Sequence, residues 1–280
     1  MTIQQAPLSP VISMANGLSI PQLGLGTWPM RGKEAADAVR NAIEIGYRHV
    51  DTAEAYENED GVGAGIRAAG LPREQIFVTT KFNKQWHSRA GVRQACEASL
   101  KRLGLEYIDM YLIHWPNPHQ DRYVEAFEGI LELVNDGLVR SAGVSNFKPA
   151  HLERLFAKGL KPQMNQIQLD PYRPRPESVK ANSEHGIVTE SWSPLDRDGG
   201  LLKEAVIAKL AEELGRTKGQ VVLRWHVQKG YVTVPKSGNP QRQFENLDIF
   251  GFTLSEAQVA ALDALRNDSV KIEDSDVFGH

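Results

Sequence analysis

Short apolar or β-branched runs recur along the chain, each followed by a longer stretch whose apolar residues fall three and four apart. Strands buried on both faces read as such runs and amphipathic helices as such stripes, so the alternation predicts repeated βα units. The runs occupy 23–26, 49–52, 76–81, 108–114, 139–145, 164–169, 188–192 and 232–235. Eight at this spacing predict a closed (β/α)8 TIM barrel. Ahead of them, 11–13 and 18–20 flank Asn16-Gly17, a pair that accepts the positive φ angles of a tight turn, so a small N-terminal β-hairpin is expected. Helices over 33–45 and 89–103 should stop near Gly46 and Gly104. Two amphipathic segments, 203–214 and 218–229, share the gap before the last run, which makes one of them an extra helix. A second extra helix is expected at 255–265, capped by Thr253 or Ser255.

The alternative, a doubly wound open sheet, normally binds a dinucleotide through GxGxxG after its first strand. Here Gly24-Leu25-Gly26 lacks the third glycine, and Gly61, Gly63 and Gly65 sit inside a helical segment at the wrong spacing. Length leaves one domain or two. No Pro/Ser-rich linker, low-complexity tract or charge block divides the chain, and the proline-rich stretch 171–176 reads as one loop, so 1–280 is expected to form a single barrel domain.

Charge removes several partner classes. Against 35 Asp plus Glu stand 32 Lys plus Arg, a net charge of −3 with scattered basic residues, which speaks against nucleic-acid and anionic-membrane surfaces. The first thirty residues carry no charge, yet Pro7, Pro10, Asn16, Gly17 and Pro21 interrupt them long before the ~20 apolar residues of a spanning helix, and no basic n-region precedes them. A lone cysteine, Cys96, cannot form an intramolecular disulfide, so a reducing, cytoplasmic setting is expected.

Candidate chemistry follows from the barrel, whose active face lies at the C-terminal ends of the strands. Three runs close on polar groups there: Asp51 in the second, Lys81 in the third and His114 in the fourth, with Tyr56 five residues beyond Asp51 in the adjoining loop. Singly, each has an ordinary role as helix cap, rim charge, core histidine or packed aromatic. Jointly they form a reaction centre. A phenol has a pKa near ~10, and a cation beside its oxygen makes the proton easier to give up. Lys81 can be that cation, Asp51 can pair it, and His114 can donate a hydrogen bond to a carbonyl oxygen that Tyr56 protonates. Reduction of the carbonyl then needs an outside hydride source, a nicotinamide cofactor.

The stretches Gly46-Tyr47-Arg48-His49-Val50-Asp51-Thr52-Ala53, Leu112-Ile113-His114-Trp115-Pro116, Gly143-Val144-Ser145-Asn146-Phe147 and Val234-Pro235-Lys236-Ser237 resemble the signature segments of the aldo-keto reductase family, in order, from about residue 17 to residue 265. Glu190-Ser191-Trp192 and the short tail are most similar to its bacterial 2,5-diketo-gluconate reductase-like members. The resemblance implies the (β/α)8 fold, a catalytic Asp51, Tyr56, Lys81, His114 tetrad with Tyr56 as general acid, and extended NADPH bound without a Rossmann motif. It implies that Ser145, Asn146 and Gln166 hold the nicotinamide carboxamide and that Trp192 stacks on its ring, with Ser193 and Leu195 alongside. Lys236, Ser237 and Arg242 match the adenosine-phosphate site, and Glu245 and Asn246 lie near the adenine. Trp28, Trp86 and Trp115 are expected to form, with His114, an apolar wall for a small carbonyl substrate. The family also implies a monomer.

Three departures bear on substrate choice. Asp196-Arg197-Asp198 replaces the glycine that many relatives carry, which places the Asp196 carboxylate where it would repel an anionic substrate. Phe82-Asn83 replaces the common Leu-Trp after Lys81, and Gly238-Asn239-Pro240 is thin in positive charge. Two other readings are a non-catalytic NADPH-binding member of the same fold and a metal-dependent barrel hydrolase. The first would lack a member of the tetrad, and all four are present; the second would need clustered ligands, and no His-x-His pair occurs.

Overall fold

The computed structural model describes residues 8–280; residues 1–7, Pro7 among them, lie outside the described part. β1 (Val11–Ser13) pairs antiparallel with β2 (Ser19–Pro21) across the turn at Asn16-Gly17, where Gly17 has φ +82°. Eight parallel strands follow in chain order: β3 (Leu25–Gly26), β4 (His49–Asp51), β5 (Phe77–Phe82), β6 (Ile108–Ile113), β7 (Val139–Ser145), β8 (Met164–Gln168), β9 (Val188–Trp192) and β10 (Val232–Thr233). Bridges from Leu23 to Thr233 and from Gly26 to Lys236 join the first to the last and close the barrel. The Gly24 N–H donates to the Thr233 carbonyl at 2.9 Å and the Gly26 N–H to that of Pro235 at 3.1 Å. The two strands at this seam are shorter than the runs 23–26 and 232–235 imply, because their outer residues make single bridges rather than a continuous ladder.

Helices alternate with the strands: α1 (Gly32–Ile45), α2 (Glu59–Ala68), α3 (Arg89–Leu103), α4 (Tyr123–Asn135), α5 (Pro149–Phe156), α6 (Pro176–Glu184), α7 (Ala205–Leu214), α8 (Lys218–Gln228), α9 (Pro240–Leu247) and α10 (Glu256–Asp263). Both expected surplus helices are present, since α7 and α8 share the β9–β10 gap and α9 and α10 follow β10. Local chemistry sets their ends. Gly46 and Gly104 stop α1 and α3 with positive φ, and Ser255, not Thr253, caps α10 by accepting the Gln258 N–H at 3.2 Å.

Two buried layers hold the barrel. Outside the strands, Val39 and Ile43 of α1, Val62 and Ile66 of α2, and Cys96 and Leu100 of α3 pack with Val50, Val78 and Tyr111. Inside, Phe77, Met110, Leu112, Met164, Val188 and Val232 form a plug together with Met14 and Ile20 of the hairpin. Phe77, Met164, Val188 and Val232 each begin a strand, so the hairpin seals the N-terminal mouth and leaves the opposite mouth for chemistry. At about 1.5–3 kcal/mol per fully buried large apolar side chain, the seal is substantial.

The glycines of α2 serve helix contact rather than nucleotide binding. A Cβ on Gly63 would lie 1.8 Å from the Leu103 carbonyl oxygen, and one on Gly61 would lie 2.5 Å from that of Gly32. Gly63→Ala should therefore destabilise the protein by about 1–3 kcal/mol or more, because backbone rather than a flexible side chain must move. Gly219→Ala in α8, where no atom comes within 3.9 Å, should be neutral or stabilising by up to about 1 kcal/mol. Urea unfolding of both variants checks the contrast; equal effects contradict the close-approach reading.

Candidate active site

The three polar residues picked from strand ends, and Tyr56 from the adjoining loop, meet at the open mouth. Asp51 ends β4, Lys81 is the penultimate residue of β5, and His114 directly follows β6. Tyr56 closes a single 3-10 turn, Glu54–Tyr56, that folds back over the strands. The Lys81 ammonium is fully buried and donates to Asp51 Oδ1 at 2.8 Å, Asp51 Oδ2 at 2.9 Å and the Thr52 carbonyl at 2.8 Å. It lies 5.2 Å from the centre of the Tyr56 ring, which meets the His114 ring edge-on at 5.8 Å. Asp51, Tyr56 and His114 line a cavity of about 600 Å³, and Lys81 sits beneath its floor.

Burial dominates the electrostatics. Desolvation would lower the Lys81 pKa, but Asp51, then Tyr56 and Glu190, hold it above its ordinary value, so the ammonium stays charged. For Tyr56 the outcome differs from the sequence expectation. Burial raises the phenol above its ordinary value, and the opposing pull of Lys81 does not overcome it. Tyr56 therefore keeps its proton at rest, with the Lys81 ammonium beneath its ring. His114 falls well below its usual range through burial, then through Lys81 and His280. It is a neutral imidazole and can donate a hydrogen bond without carrying charge.

The segments expected around the cofactor surround the same cavity. Ser145, Asn146, Gln166, Trp192, Ser193, Leu195 and Lys236 all line it. The Trp192 indole N–H donates to Asn146 Oδ1 at 2.9 Å, and Asn146 Nδ2 donates to the His114 carbonyl at 3.1 Å and to Ser145 Oγ at 3.0 Å. Gln166 Nε2 donates to Asp51 Oδ1 at 2.8 Å and to Glu190 Oε1. Both N–H bonds are thus committed to carboxyl groups, and among the described residues the Gln166 oxygen meets no donor. Glu190 is a buried member of this network that sequence reasoning passed over as part of a strand. Its pKa is raised, by burial first and then by Asp51, and its Oε2 has no hydrogen-bond partner among the described residues, with His49 Nε2 3.9 Å away. Ser237, Arg242, Glu245 and Asn246 lie beyond the cavity, at the end of the barrel seam and on α9, with Arg242 exposed and Ser237 and Asn246 buried.

Of the three indoles expected as a substrate wall, two line the cavity. Trp28 lines the cavity from the rim, 46% exposed, with the Arg197 guanidinium 5.4 Å from its ring centre, and Trp115 lines it from the buried side. Trp86 is not part of the lining; its N–H donates to Glu54 Oε1 at 2.9 Å, which draws the indole behind the Tyr56 turn. Phe278 and His280 also line the cavity, on a segment whose polar, aperiodic sequence gave no sign of it. Asp196 also departs from expectation. Its carboxylate accepts from Arg173 Nη1 at 3.1 Å and from the N–H groups of Gly200 and Leu201 at 2.9 and 3.2 Å. It organises its own loop, and its charge is compensated rather than turned against an anion.

A family model described as the Aldo/keto reductase family matches residues 22–267. Methylglyoxal reductase DkgA of Escherichia coli (strain K12) is 44% identical over 271 residues, which span 96% of this chain and 98% of that protein. 2,5-Diketo-D-gluconic acid reductase B of Corynebacterium sp. is 45% identical over 260 residues, 92% of this chain and 94% of that one. Among solved structures, a variant of Gox0644 in complex with NADPH is 40% identical with a TM-score of 0.91, covering 96% of this chain and 98% of its own.

The Lys81–Asp51 pair is open to a direct test of stability. Lys81→Met leaves Asp51 buried beside no cation, and breaking a buried pair from one side costs about 3–5 kcal/mol. Urea unfolding should show a loss of that order, with part of it regained when Asp51→Asn is added. A single-variant loss below about 1 kcal/mol would contradict the geometry.

Proposed function

The chain belongs to the aldo/keto reductase family, and we propose on that premise that it reduces aldehyde or ketone carbonyls to alcohols with NADPH, using Tyr56 as general acid. Asp51 and Lys81 hold the charge beneath the phenol, and His114 orients the carbonyl oxygen. The observation that carries the reading is the fully buried Lys81 ammonium fixed by Asp51 under Tyr56, beside a neutral His114, all on one cavity. The other residues suit the cofactor. Gln166 offers an acceptor to a carboxamide N–H, and Asn146 braces the Trp192 ring as a stacking face. Lys236 and Arg242 supply exposed cations for phosphates. Bound NADPH supplies the hydride. Tyr56 passes its proton to the carbonyl oxygen as charge develops there, and Lys81 stabilises the phenolate left behind. Trp28, Trp115 and His114 face a small substrate such as a short aldehyde, an α-dicarbonyl or a keto-sugar. We further propose a monomeric single-domain enzyme of the cytoplasm. The buried Cys96 thiol, its pKa pushed up to about 12, suits a protein that does not rely on oxidation.

Tyr56→Phe should lower kcat by ~10²-fold or more while NADPH affinity stays nearly constant. In the wild type, His114 stays neutral as pH falls through 6.5 because its pKa is depressed, so kcat should show no histidine step between about pH 7.5 and about pH 6. A pH profile of kcat for both proteins checks this; a tenth of the activity surviving in the variant removes Tyr56 from its role.

Arg242→Ala should weaken NADPH by ~1.5–3 kcal/mol and leave NADH nearly unchanged, since a guanidinium grips a 2′-phosphate that NADH lacks. The loss belongs to binding, because the phosphate lies far from the transferred hydride. Dissociation constants for both cofactors decide the matter. Equal weakening of the two would make Arg242 an ordinary surface charge.

A further inference from the structure

Glu190 is wholly buried, does not line the cavity, and has no part in the proposed proton and hydride transfers. The parallel register of β8 and β9 sets it directly beside Gln166, whose amide N–H groups go one to Glu190 Oε1 and the other to Asp51 Oδ1 at 2.8 Å. No cation compensates it. Lys81 commits its N–H bonds to Asp51 and the Thr52 carbonyl. His49 Nε2, 3.9 Å from Glu190 Oε2, is engaged at 3.0 Å with Thr79 Oγ1, on a ring whose pKa is lowered to about 3 by burial and then by Lys81. The titratable groups around Glu190 are thus His49 and Asp51 of β4, Lys81 of β5 and Tyr56, while β8 brings the non-titrating Gln166 and β10 pairs it with Val232. A carboxylate sealed from water with one hydrogen bond and no ion partner is less favourable than the carboxylic acid. Glu190 is therefore un-ionised at neutral pH, its pKa raised to about 8 by burial first and then by Asp51.

Asp51 alone would hold the Gln166 nitrogen but leave the amide free to turn about that one bond, whereas a second acceptor on the neighbouring strand fixes its plane. The Gln166 oxygen, which meets no donor among the described residues, is not sealed in, and its side chain lines the cavity. We propose that Glu190 is a positioning residue for the cofactor, which fixes the Gln166 amide with its oxygen toward the nicotinamide carboxamide. Without Glu190 one Gln166 N–H is left unpaired in the protein interior. The amide then gains by turning that N–H toward the cavity, where it meets the carboxamide N–H donor to donor. This role rests on the proposed use of NADPH.

The acetylpyridine analogue of NADPH carries a methyl ketone in place of the carboxamide and has no N–H to give Gln166. In fluorescence titrations, Glu190→Leu should weaken NADPH about fivefold or more and the analogue less than about twofold. Glu190→Gln has the same shape and an oxygen that can accept the same N–H, and should bind NADPH within about twofold of the wild type. Equal weakening of both compounds by Glu190→Leu, no weakening of either, or a loss in Glu190→Gln as large as in the leucine variant overturns the role and leaves the reductase reading standing. Urea unfolding of the wild type and Glu190→Gln tests the un-ionised carboxyl without the leucine variant. An acid that keeps its proton in the native state and loses it in the unfolded chain makes stability fall as pH rises from the unfolded pKa to the native one. The wild type should therefore lose stability relative to Glu190→Gln between about pH 5 and about pH 8. Parallel pH curves for the two proteins also overturn the role. A wild type that binds neither compound overturns the proposed cofactor together with it.

Discussion

A lysine ammonium taken wholly out of water must be compensated where it sits, or it loses its proton or unfolds the site. Lys81 meets that demand with both oxygens of Asp51 and the Thr52 carbonyl, all supplied by the second barrel strand and the residue after it. Everything at the open mouth is arranged around this pair. Tyr56 lies over the ammonium, Gln166 ties the Asp51 carboxylate to the far side of the barrel, and Glu190 takes the remaining Gln166 N–H. The barrel must close for these groups to meet, since Asp51, Lys81, Gln166 and Glu190 come from four different strands.

The same low dielectric acts differently on each member. It leaves Lys81 charged because a carboxylate is in contact, keeps His114 neutral because none is, and tightens the hold of Tyr56 on its proton. The sequence expectation of an acidified phenol considered the cation and not the burial, and burial is the larger effect. In the proposed reaction, an acid protonated at rest, with a cation beside it to stabilise the conjugate base, suits a proton given up only in the transition state.

Loop side chains around the mouth take partners that the sequence did not announce. Asp196, in the charged departure from its relatives, spends its carboxylate on Arg173 and two backbone N–H groups, which stabilises its loop. Arg197, next to it, faces the Trp28 indole, so the loop contributes a rim contact and not a repulsive charge. The segment carrying Phe278 and His280 takes the place expected for Trp86, which Glu54 draws aside.

Periodicity alone was enough for the barrel, the hairpin and the extra helices, because a strand buried on both faces and a helix buried on one leave different spacings of apolar residues. Polar residues at strand ends were enough for Asp51, Lys81 and His114, since an active face at the C-terminal mouth follows from parallel strands and helical returns. Motif order picked out the segments expected around the cofactor, and those from Ser145 to Lys236 line one cavity. What the sequence could not hold was contact between distant parts of the chain. The seam at Leu23 and Thr233, the α2 glycines pressed against neighbouring backbones, the amide of Gln166 shared by Asp51 and Glu190, and the imidazole of His280 against His114 join residues up to more than two hundred positions apart. Spacing along one element reports which face is buried, whereas the partner across a cavity depends on how closed strands and crossing loops converge in space, and only the tertiary structure fixes that.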